Sequence, residues 1–253
     1  MLLAKQIKAI FFDLDGTLRY SDPPGYQVFA AEATRLGLKI SSEDMLRAAR
    51  WEHYYFAGSD DIHADDASYP NQNAFWLNYT RRFLILLGAP PELAKEMAEP
   101  LYWYMGERYH PRDELMPGIK DALETFKKAD VVLAVVSNRE KSYGKYLKEI
   151  GLADYFKFSV AAGEVQSWKP DKKIFEHALH LAGVQAAEAI YIGDNYFADV
   201  VGARKAGLKP VLLDVEGIFG EPDCPVVSSH QQFLDLLEQG DIWKDQESET
   251  HPG

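Results

Sequence analysis

The stretch that decides the fold runs from Ile7 to Leu18 and reads IKAIFFDLDGTL. Its apolar run is rich in Ile and Phe and stops at a glycine, which is typical of a buried strand in a parallel sheet. Asp13 and Asp15 stand two positions apart where the run ends, and residues two apart share one face of a strand. We predict a strand over 7–14 with both carboxylates at one site, because open parallel sheets bind ligands at the carboxyl ends of their strands.

The composition indicates a protein that binds a small ligand. The chain has 253 residues and a formal net charge of −12, whereas nucleic acids and anionic membranes require a basic surface. We therefore expect neither as a partner. An acidic protein that binds an anion must create local positive potential with a few lysines, helix amino ends or a metal ion.

The single cysteine, Cys224, excludes an intramolecular disulfide and a cysteine-based zinc cluster. No stretch approaches the roughly 18 consecutive apolar residues of a spanning helix, and the amino terminus leads directly into the first strand without a cleavage site. We expect a soluble, cytoplasmic protein, either a monomer or a homodimer.

The pattern after the first strand changes to mixed polar and aromatic residues at helical spacing, over 26–51 and 72–110. Between them lies an acidic piece, 58–66, that we expect to be irregular. Nothing in this part of the chain resembles a strand, so we predict an all-helical insertion over 19–115.

Strands and helices alternate after Met116, which predicts a parallel sheet covered on both faces. The fold class is therefore α/β, a Rossmann-like core formed by 1–18 and 116–240, with an inserted all-helical domain over 19–115 and a flexible tail over 241–253. The predicted core elements are helix 117–129, strand 131–137, helix 141–150, a strand near 158–162, helix 171–183, strand 189–194, helix 198–206 and strand 210–214.

Polar residues follow three further segments of this predicted core. Ser137 and Asn138 end one strand, although serine and asparagine there are most often helix caps. Lys169 precedes a helix and offers a fixed cation, although a lysine at such a position is commonly solvated. Asp194 and Asp199 follow another strand beside a glycine and are oxygen ligands of the kind that magnesium takes.

Together these residues resemble the four motifs of the haloacid dehalogenase superfamily, most of whose members are phosphatases. The resemblance covers 7–18 and 116–214, and the insertion matches the helical, C1-type cap of that family in position and helical character. The motifs are Asp13-Leu14-Asp15-Gly16-Thr17, Ser137-Asn138, Lys169-Pro170, and Gly193-Asp194 with Asp199.

The resemblance implies a mechanism residue by residue. Asp13 would attack phosphorus in line and form an aspartyl-phosphate. Asp15 would protonate the leaving alkoxide and then deprotonate the water that hydrolyses the intermediate. Ser137, Asn138 and Lys169 would bind the phosphoryl oxygens.

The resemblance also implies a Mg²⁺ site. Its ligands would be Asp13, the backbone carbonyl of Asp15, and Asp194, with Asp199 as a direct or water-mediated partner. Metal and lysine would neutralise the repulsion between a carboxylate and a phosphate dianion.

Substrate choice is expected to reside in the insertion. Arg19 and Tyr20 come directly after the first motif and are candidates for substrate contact as a cap closes. Helix-spaced aromatic residues over 51–56, 75–79 and 102–104 are more commonly the core of such an insertion.

The residues leave alternatives open. A 2-haloacid dehalogenase-type hydrolase shares the fold, but halide leaves without a proton, so Asp15 favours an oxygen leaving group. A phosphomutase would keep all four motifs, and a non-enzymatic binding protein could keep the fold. The function expected from the sequence is a magnesium-dependent phosphatase of small phosphorylated metabolites.

Overall fold

A computed structural model describes residues 6–240 and places the first strand, β1 (Ala9–Phe12), inside a six-stranded parallel sheet. The order across the sheet is fifth, fourth, first, sixth, seventh and eighth strand. Phe12 lies opposite Val135 on one side and Ile192 on the other. The other strands of this sheet are β4 (Val132–Ser137), β5 (Phe158–Ala161), β6 (Ala189–Gly193), β7 (Lys209–Leu213) and β8 (Val226–Val227).

Alternate residues of β1 face two separate hydrophobic layers. Ile10 and Phe12 belong to one layer, and Ala9 and Phe11 to the other, all without solvent exposure. A strand that is buried on both faces requires a sheet covered on both sides. The predicted parallel α/β sheet is therefore confirmed.

The chain divides into two units, one formed by Met1–Arg19 and Leu115–Gly253 and the other by Tyr20–Glu114. The predicted tail, 241–253, lies outside the described residues. Helices α1 to α5 lie in the second unit and α6 to α11 in the first. Their bounds are α1 (Gly25–Arg35), α2 (Ser42–Phe56), α3 (Asp60–Ser68), α4 (Gln72–Leu86), α5 (Pro91–Arg108), α6 (Ile119–Lys128), α7 (Gly144–Glu149), α8 (Ala162–Val165), α9 (Lys172–Ala182), α10 (Val201–Lys205) and α11 (His230–Glu238).

Most predicted elements of the sheet unit are present, within one to three residues of the predicted bounds. The predicted helix over 198–206 begins instead as a π-helical turn, Tyr196–Val200, which continues into α10. Elements β8 and α11 follow the last predicted strand and were not predicted. Strand β8 has only two residues, which is too short for an alternation of apolar and polar residues to appear in the sequence.

The prediction of an all-helical insertion over 19–115 requires a correction at both ends. Strands β2 (Arg19–Asp22) and β3 (Arg112–Leu115) form a separate two-stranded sheet. Both strands are short and polar, so neither shows the apolar alternation that marks a strand in sequence. An ion pair of 2.6 Å between Arg112 and Asp22 joins them.

The prediction of an irregular piece over 58–66 is wrong, because α3 covers most of it. The Ser59 hydroxyl accepts a hydrogen bond from the backbone N–H of Ile62 at 3.2 Å, which caps the helix. Asp60 and Asp61 occupy the first turn, where the helix dipole favours negative charge. The acidic composition is thus compatible with a helix once its amino end is capped.

Asp65 connects α3 to its neighbours in the second unit. Asp65 as a whole is only 3% exposed. It accepts a hydrogen bond from the Tyr55 hydroxyl at 3.0 Å and pairs with the Arg82 guanidinium at 3.0 Å. A buried carboxylate is tolerated when it is paired and hydrogen-bonded in this way.

Several aromatic residues of α2 and α4 lie in the core of the second unit, as the helical spacing indicated, whereas Tyr54, Phe56 and Trp76 are exposed. The rings of Trp51 and Tyr55 stack at 4.6 Å, and those of Tyr79 and Phe83 at 5.8 Å. Trp103 in the third aromatic group is instead 49% exposed. Within residues 6–240, no helix combines the length and the apolar character needed to cross a membrane.

We predict that Asp65→Ala lowers the free energy of unfolding by about 1–3 kcal/mol, because the substitution removes the acceptor of the buried Tyr55 hydroxyl and the nearer of the two carboxylates that pair with Arg82. Urea unfolding followed by tryptophan fluorescence measures this change. Asp66→Ala is the matched control, since Asp66 is an exposed neighbour in the same helix, and its effect is expected within about 0.5 kcal/mol. Equal effects of the two substitutions would show that the buried contacts do not stabilise this unit.

Candidate active site

The candidate site lies where three neighbouring parallel strands end. Asp13 follows β1, Ser137 ends β4, and Asp194 follows β6. The backbone N–H of Asp13 donates to the carbonyl oxygen of Ile192 at 2.9 Å, so the chain still pairs with β6 at this position. Carboxyl ends of parallel strands meet at one edge of a sheet, which brings residues far apart in sequence together.

Lys169 is the cation at the centre of this edge, and it is only 3% exposed. Its ammonium donates to Asp13 Oδ1 at 2.5 Å, to Asp199 Oδ1 at 2.6 Å and to the Tyr191 hydroxyl at 2.9 Å. Burial lowers the pKa of Lys169, but Asp13 and Asp199 together raise it above its usual value. The lysine therefore stays charged.

Asn138 fixes the backbone that carries this lysine. The backbone N–H of Lys169 donates to Asn138 Oδ1 at 2.7 Å, and Asn138 Nδ2 donates to the Lys169 carbonyl oxygen at 3.0 Å. Both polar atoms of the Asn138 side chain are thus bonded to one residue. In this structure they are directed to Lys169, whereas the sequence had placed Asn138 among the residues that contact phosphate.

Three carboxylates gather beside the lysine. One oxygen each from Asp13, Asp194 and Asp199 lies within 4.8 Å of the others. Burial raises the pKa of Asp13 well above its usual range, with Lys169 opposing and Asp199 adding to the effect. Burial and the charge of Asp199 also raise the pKa of Asp194, to about 7.

The three carboxylates and one ammonium give this cluster a net charge of −2 when all are ionised. Oxygen ligands with a surplus of negative charge are the donor set of a hard divalent cation. Residues Asp13, Asp194 and Asp199 could therefore hold such an ion, and its charge would balance theirs.

Gly16 permits the close approach of Asp194 to the loop after β1. Its φ is +90°, and a Cβ atom there would lie 2.1 Å from Asp194 Oδ2. An L-residue would strain the backbone and collide with the carboxylate. The Thr17 hydroxyl lies 3.5 Å from Asp194 Oδ1 in the same loop.

Asp199 is held on both sides within the π-helical turn. Its Oδ2 accepts a hydrogen bond from the Asn195 backbone N–H at 2.9 Å, while Oδ1 pairs with Lys169. The residue is almost fully buried. Its position is therefore fixed by contacts to two different segments of the chain.

Asp15 has different partners from Asp13, although the two lie on one loop. The Arg139 guanidinium donates to Asp15 Oδ2 from Nε at 2.9 Å and to Oδ1 from a terminal nitrogen at 2.8 Å. Arg19 lies 3.3 Å from the same carboxylate. The Asp15 side chain is 41% exposed, so it lies at the open side of the site.

Arg139 was not among the site residues predicted from the sequence. A guanidinium directly after the Ser137-Asn138 pair, at the carboxyl end of a strand, was the signal that could have identified it. The structure also places Arg19 at this corner, where its Nε donates to the Tyr146 hydroxyl at 3.0 Å. Tyr20 lies in β2 and belongs to the second unit.

Comparison with known proteins identifies the family. The model of the haloacid dehalogenase-like hydrolases matches residues 7–207. The phosphoserine phosphatase of Thermus thermophilus is 30% identical over 92% of this chain and 97% of its own. The ribulose-1,5-bisphosphate 5-phosphatase of Halopiger xanaduensis is 29% identical over 81% of this chain and 84% of its own.

The fold agrees with this match. The crystal structure of a 2-haloacid dehalogenase from Pseudomonas syringae superimposes with a TM-score of 0.52 over 92% of this chain and 99% of its own, at 24% identity. At that identity the similarity concerns the fold alone. The site residues at the strand ends, the parallel sheet and the family model agree, and the chain belongs to the haloacid dehalogenase-like hydrolases.

Proposed function

We propose that the protein is a magnesium-dependent phosphatase of small phosphorylated metabolites that acts through an aspartyl-phosphate on Asp13. The observation that carries the proposal is the buried contact between Asp13 and Lys169, beside Asp194 and Asp199. Two relatives in the same family are named as phosphatases of small phosphorylated compounds, which supports this reaction class.

The acidic cluster is proposed to hold Mg²⁺ through Asp13, Asp194 and the backbone carbonyl of Asp15, with Asp199 as a direct or water-mediated partner. When bound, the ion would neutralise charge on the phosphoryl oxygens and on the cluster. Four carboxyl and carbonyl oxygens suit an ion that keeps several water ligands.

Asp13 is the proposed nucleophile. A bond forms between a carboxylate oxygen of Asp13 and phosphorus, while the bond from phosphorus to the leaving oxygen breaks. Lys169 contacts Asp13 at 2.5 Å and limits the repulsion between the carboxylate and the incoming phosphate. Ser137, at the end of β4, is proposed to contact the phosphoryl oxygens together with Lys169.

Asp15 is the proposed acid and base. It would protonate the leaving alkoxide in the first step and take a proton from the attacking water in the second. Water then adds to phosphorus, releases inorganic phosphate and restores the Asp13 carboxylate. The partial exposure of Asp15 places its carboxylate where a substrate and water can reach it.

Asn138 is proposed as a positioning residue. Its two hydrogen bonds fix the Lys169 backbone, and the short side chain of the asparagine leaves little freedom in that geometry. This proposal replaces a direct contact between the Asn138 side chain and phosphate.

The insertion, 19–115, is proposed to serve as a C1-type cap that selects the substrate for the catalytic core of 1–18 and 116–240. It is inserted between the first two motifs and has its own aromatic core. Arg19 and Tyr20 are the proposed substrate contacts where the chain enters this unit.

A dehalogenase reaction is disfavoured despite the shared fold. A departing halide needs no proton, so that reaction gives no role to a carboxyl group at Asp15. A phosphomutase would use the same residues, and it would be recognised by transfer of phosphate to a second position of the substrate. Release of inorganic phosphate distinguishes hydrolysis from that transfer.

We predict that the purified protein hydrolyses para-nitrophenyl phosphate with Mg²⁺ and that EDTA abolishes the reaction. Asp13→Asn should lower kcat by at least about 1,000-fold, because the amide keeps the shape of the side chain but is not a nucleophile. Asp66→Ala is the matched control and should retain activity. Near-normal turnover by Asp13→Asn, with the circular dichroism spectrum unchanged, would refute the proposed nucleophile.

We predict that metal-free protein loses stability as the pH rises from about 4 to about 7. The folded state keeps the Asp194 proton to about pH 7, whereas the unfolded chain releases it near pH 4. The unfolded state thus binds fewer protons in this window, and the free energy of unfolding falls by on the order of 1 kcal/mol or more.

Thermal unfolding in EDTA and in Mg²⁺ measures this effect. Mg²⁺ should raise Tm more at pH 8 than at pH 5, since it binds the ionised carboxylates. Asp194→Asn should reduce both the fall in Tm with rising pH in EDTA and the rise in Tm that Mg²⁺ causes. A Mg²⁺ effect that persists in Asp194→Asn would place the ion elsewhere.

A further inference from the structure

Two arginines converge on Asp15 at the open side of the site. Arg139 binds both oxygens of the carboxylate, and Arg19 lies 3.3 Å from one of them. Two guanidinium groups against one carboxylate leave a surplus of one positive charge. This corner is therefore basic, whereas the neighbouring metal cluster is acidic.

We propose that Arg139, assisted by Arg19, binds a carboxylate on the leaving alcohol of the substrate. The preferred substrates would then be phosphate monoesters of small hydroxy acids. This inference rests on the proposed function, because it takes Asp15 as the group that protonates the leaving oxygen.

Asp15 lies beside the leaving group in the proposed reaction. An acid that protonates the leaving oxygen lies within hydrogen-bond distance of it. Side chains that touch Asp15 consequently lie beside the leaving alcohol, on the opposite side of phosphorus from the nucleophile. Arg139 and Arg19 are such side chains.

The geometry of the arginine favours a carboxylate as the bound group. The contact with Asp15 shows that the Arg139 guanidinium can donate to both oxygens of a carboxylate, at 2.8 and 2.9 Å. Planar two-point contacts of this kind give arginine its selectivity for carboxylate and phosphate groups. A substrate carboxylate would share or replace the contact that Asp15 makes here.

The loop that carries Arg139 is fixed on its other side. The Arg139 carbonyl oxygen accepts a hydrogen bond from Gly163 at 3.3 Å. A Cβ atom at Gly163 would lie 1.9 Å from the Glu140 carbonyl oxygen, so the two backbones pack closely. The Arg139 guanidinium itself lies over the Tyr146 ring, 4.4 Å from its centroid. A binding group held in this way loses little freedom when ligand arrives.

The test compares two phosphate esters that differ at one group, glycolic acid phosphate and 2-hydroxyethyl phosphate. Wild-type protein should show a kcat/KM about 10- to 100-fold higher for the carboxylate ester, as expected for a charge-assisted hydrogen bond. Arg139→Gln should remove that preference, because it lowers kcat/KM for the carboxylate ester about 10- to 100-fold more than kcat/KM for 2-hydroxyethyl phosphate, the extra loss lying mainly in KM. Loss of the contact with Asp15 lowers the turnover of both esters.

Arg204→Gln is the matched control. The Arg204 guanidinium also makes a two-point contact with a carboxylate, that of Asp223, at 2.9 and 3.1 Å. Its substitution should leave the preference between the two esters unchanged. Equal kcat/KM of the wild type for both esters would overturn the inference, and so would an equal loss for both in Arg139→Gln. A higher kcat/KM for an ester carrying a second phosphate would overturn the assignment to a carboxylate.

Failure of the proposed function has a different signature. In that case the wild type hydrolyses none of these esters, nor para-nitrophenyl phosphate. Calorimetric titration of the two esters in Mg²⁺ then tests the arginine site directly. Tighter binding of the carboxylate ester by wild type, lost in Arg139→Gln, supports the site, and equal binding of both esters overturns it.

Discussion

A buried ammonium between two carboxylates is the constraint on which the rest of the site depends. Lys169 could not be removed from water without partners of opposite charge, because an isolated buried ion is very costly. Asp13 and Asp199 provide that charge, Tyr191 provides a further acceptor, and Asn138 holds the lysine backbone. These residues come from four separate segments, so the lysine contacts tie the strand ends of the sheet together.

The site contains a negatively charged cluster and a positively charged corner, and the positive corner can attract an anionic substrate although the protein as a whole is acidic. The cluster of Asp13, Asp194 and Asp199 with the lysine is negative and suits a divalent cation. The corner around Asp15 is positive because two arginines meet there. The local distribution of charge at the site, rather than the overall net charge of −12, thus determines which ions and substrates bind there.

The sequence predicted the sheet and the residues at its strand ends because both are local signals. An apolar run that stops at glycine identifies a buried strand, and a carboxylate after it identifies the edge. Arg139 and the partner of Asn138 were missed, since no periodicity reports which side chains pair in space. Helix α3 was missed because its acidic composition resembles a solvated loop, and only the cap at Ser59 and the pairing of Asp65 explain it.

The stereochemical course at phosphorus tests the central claim, attack by Asp13, most directly. A thiophosphate ester made chiral at phosphorus with oxygen isotopes would be hydrolysed in isotopically labelled water with Mg²⁺. Two successive in-line displacements, first by Asp13 and then by water, predict net retention of configuration. Net inversion would mean that water attacks the substrate directly and would contradict an aspartyl-phosphate intermediate.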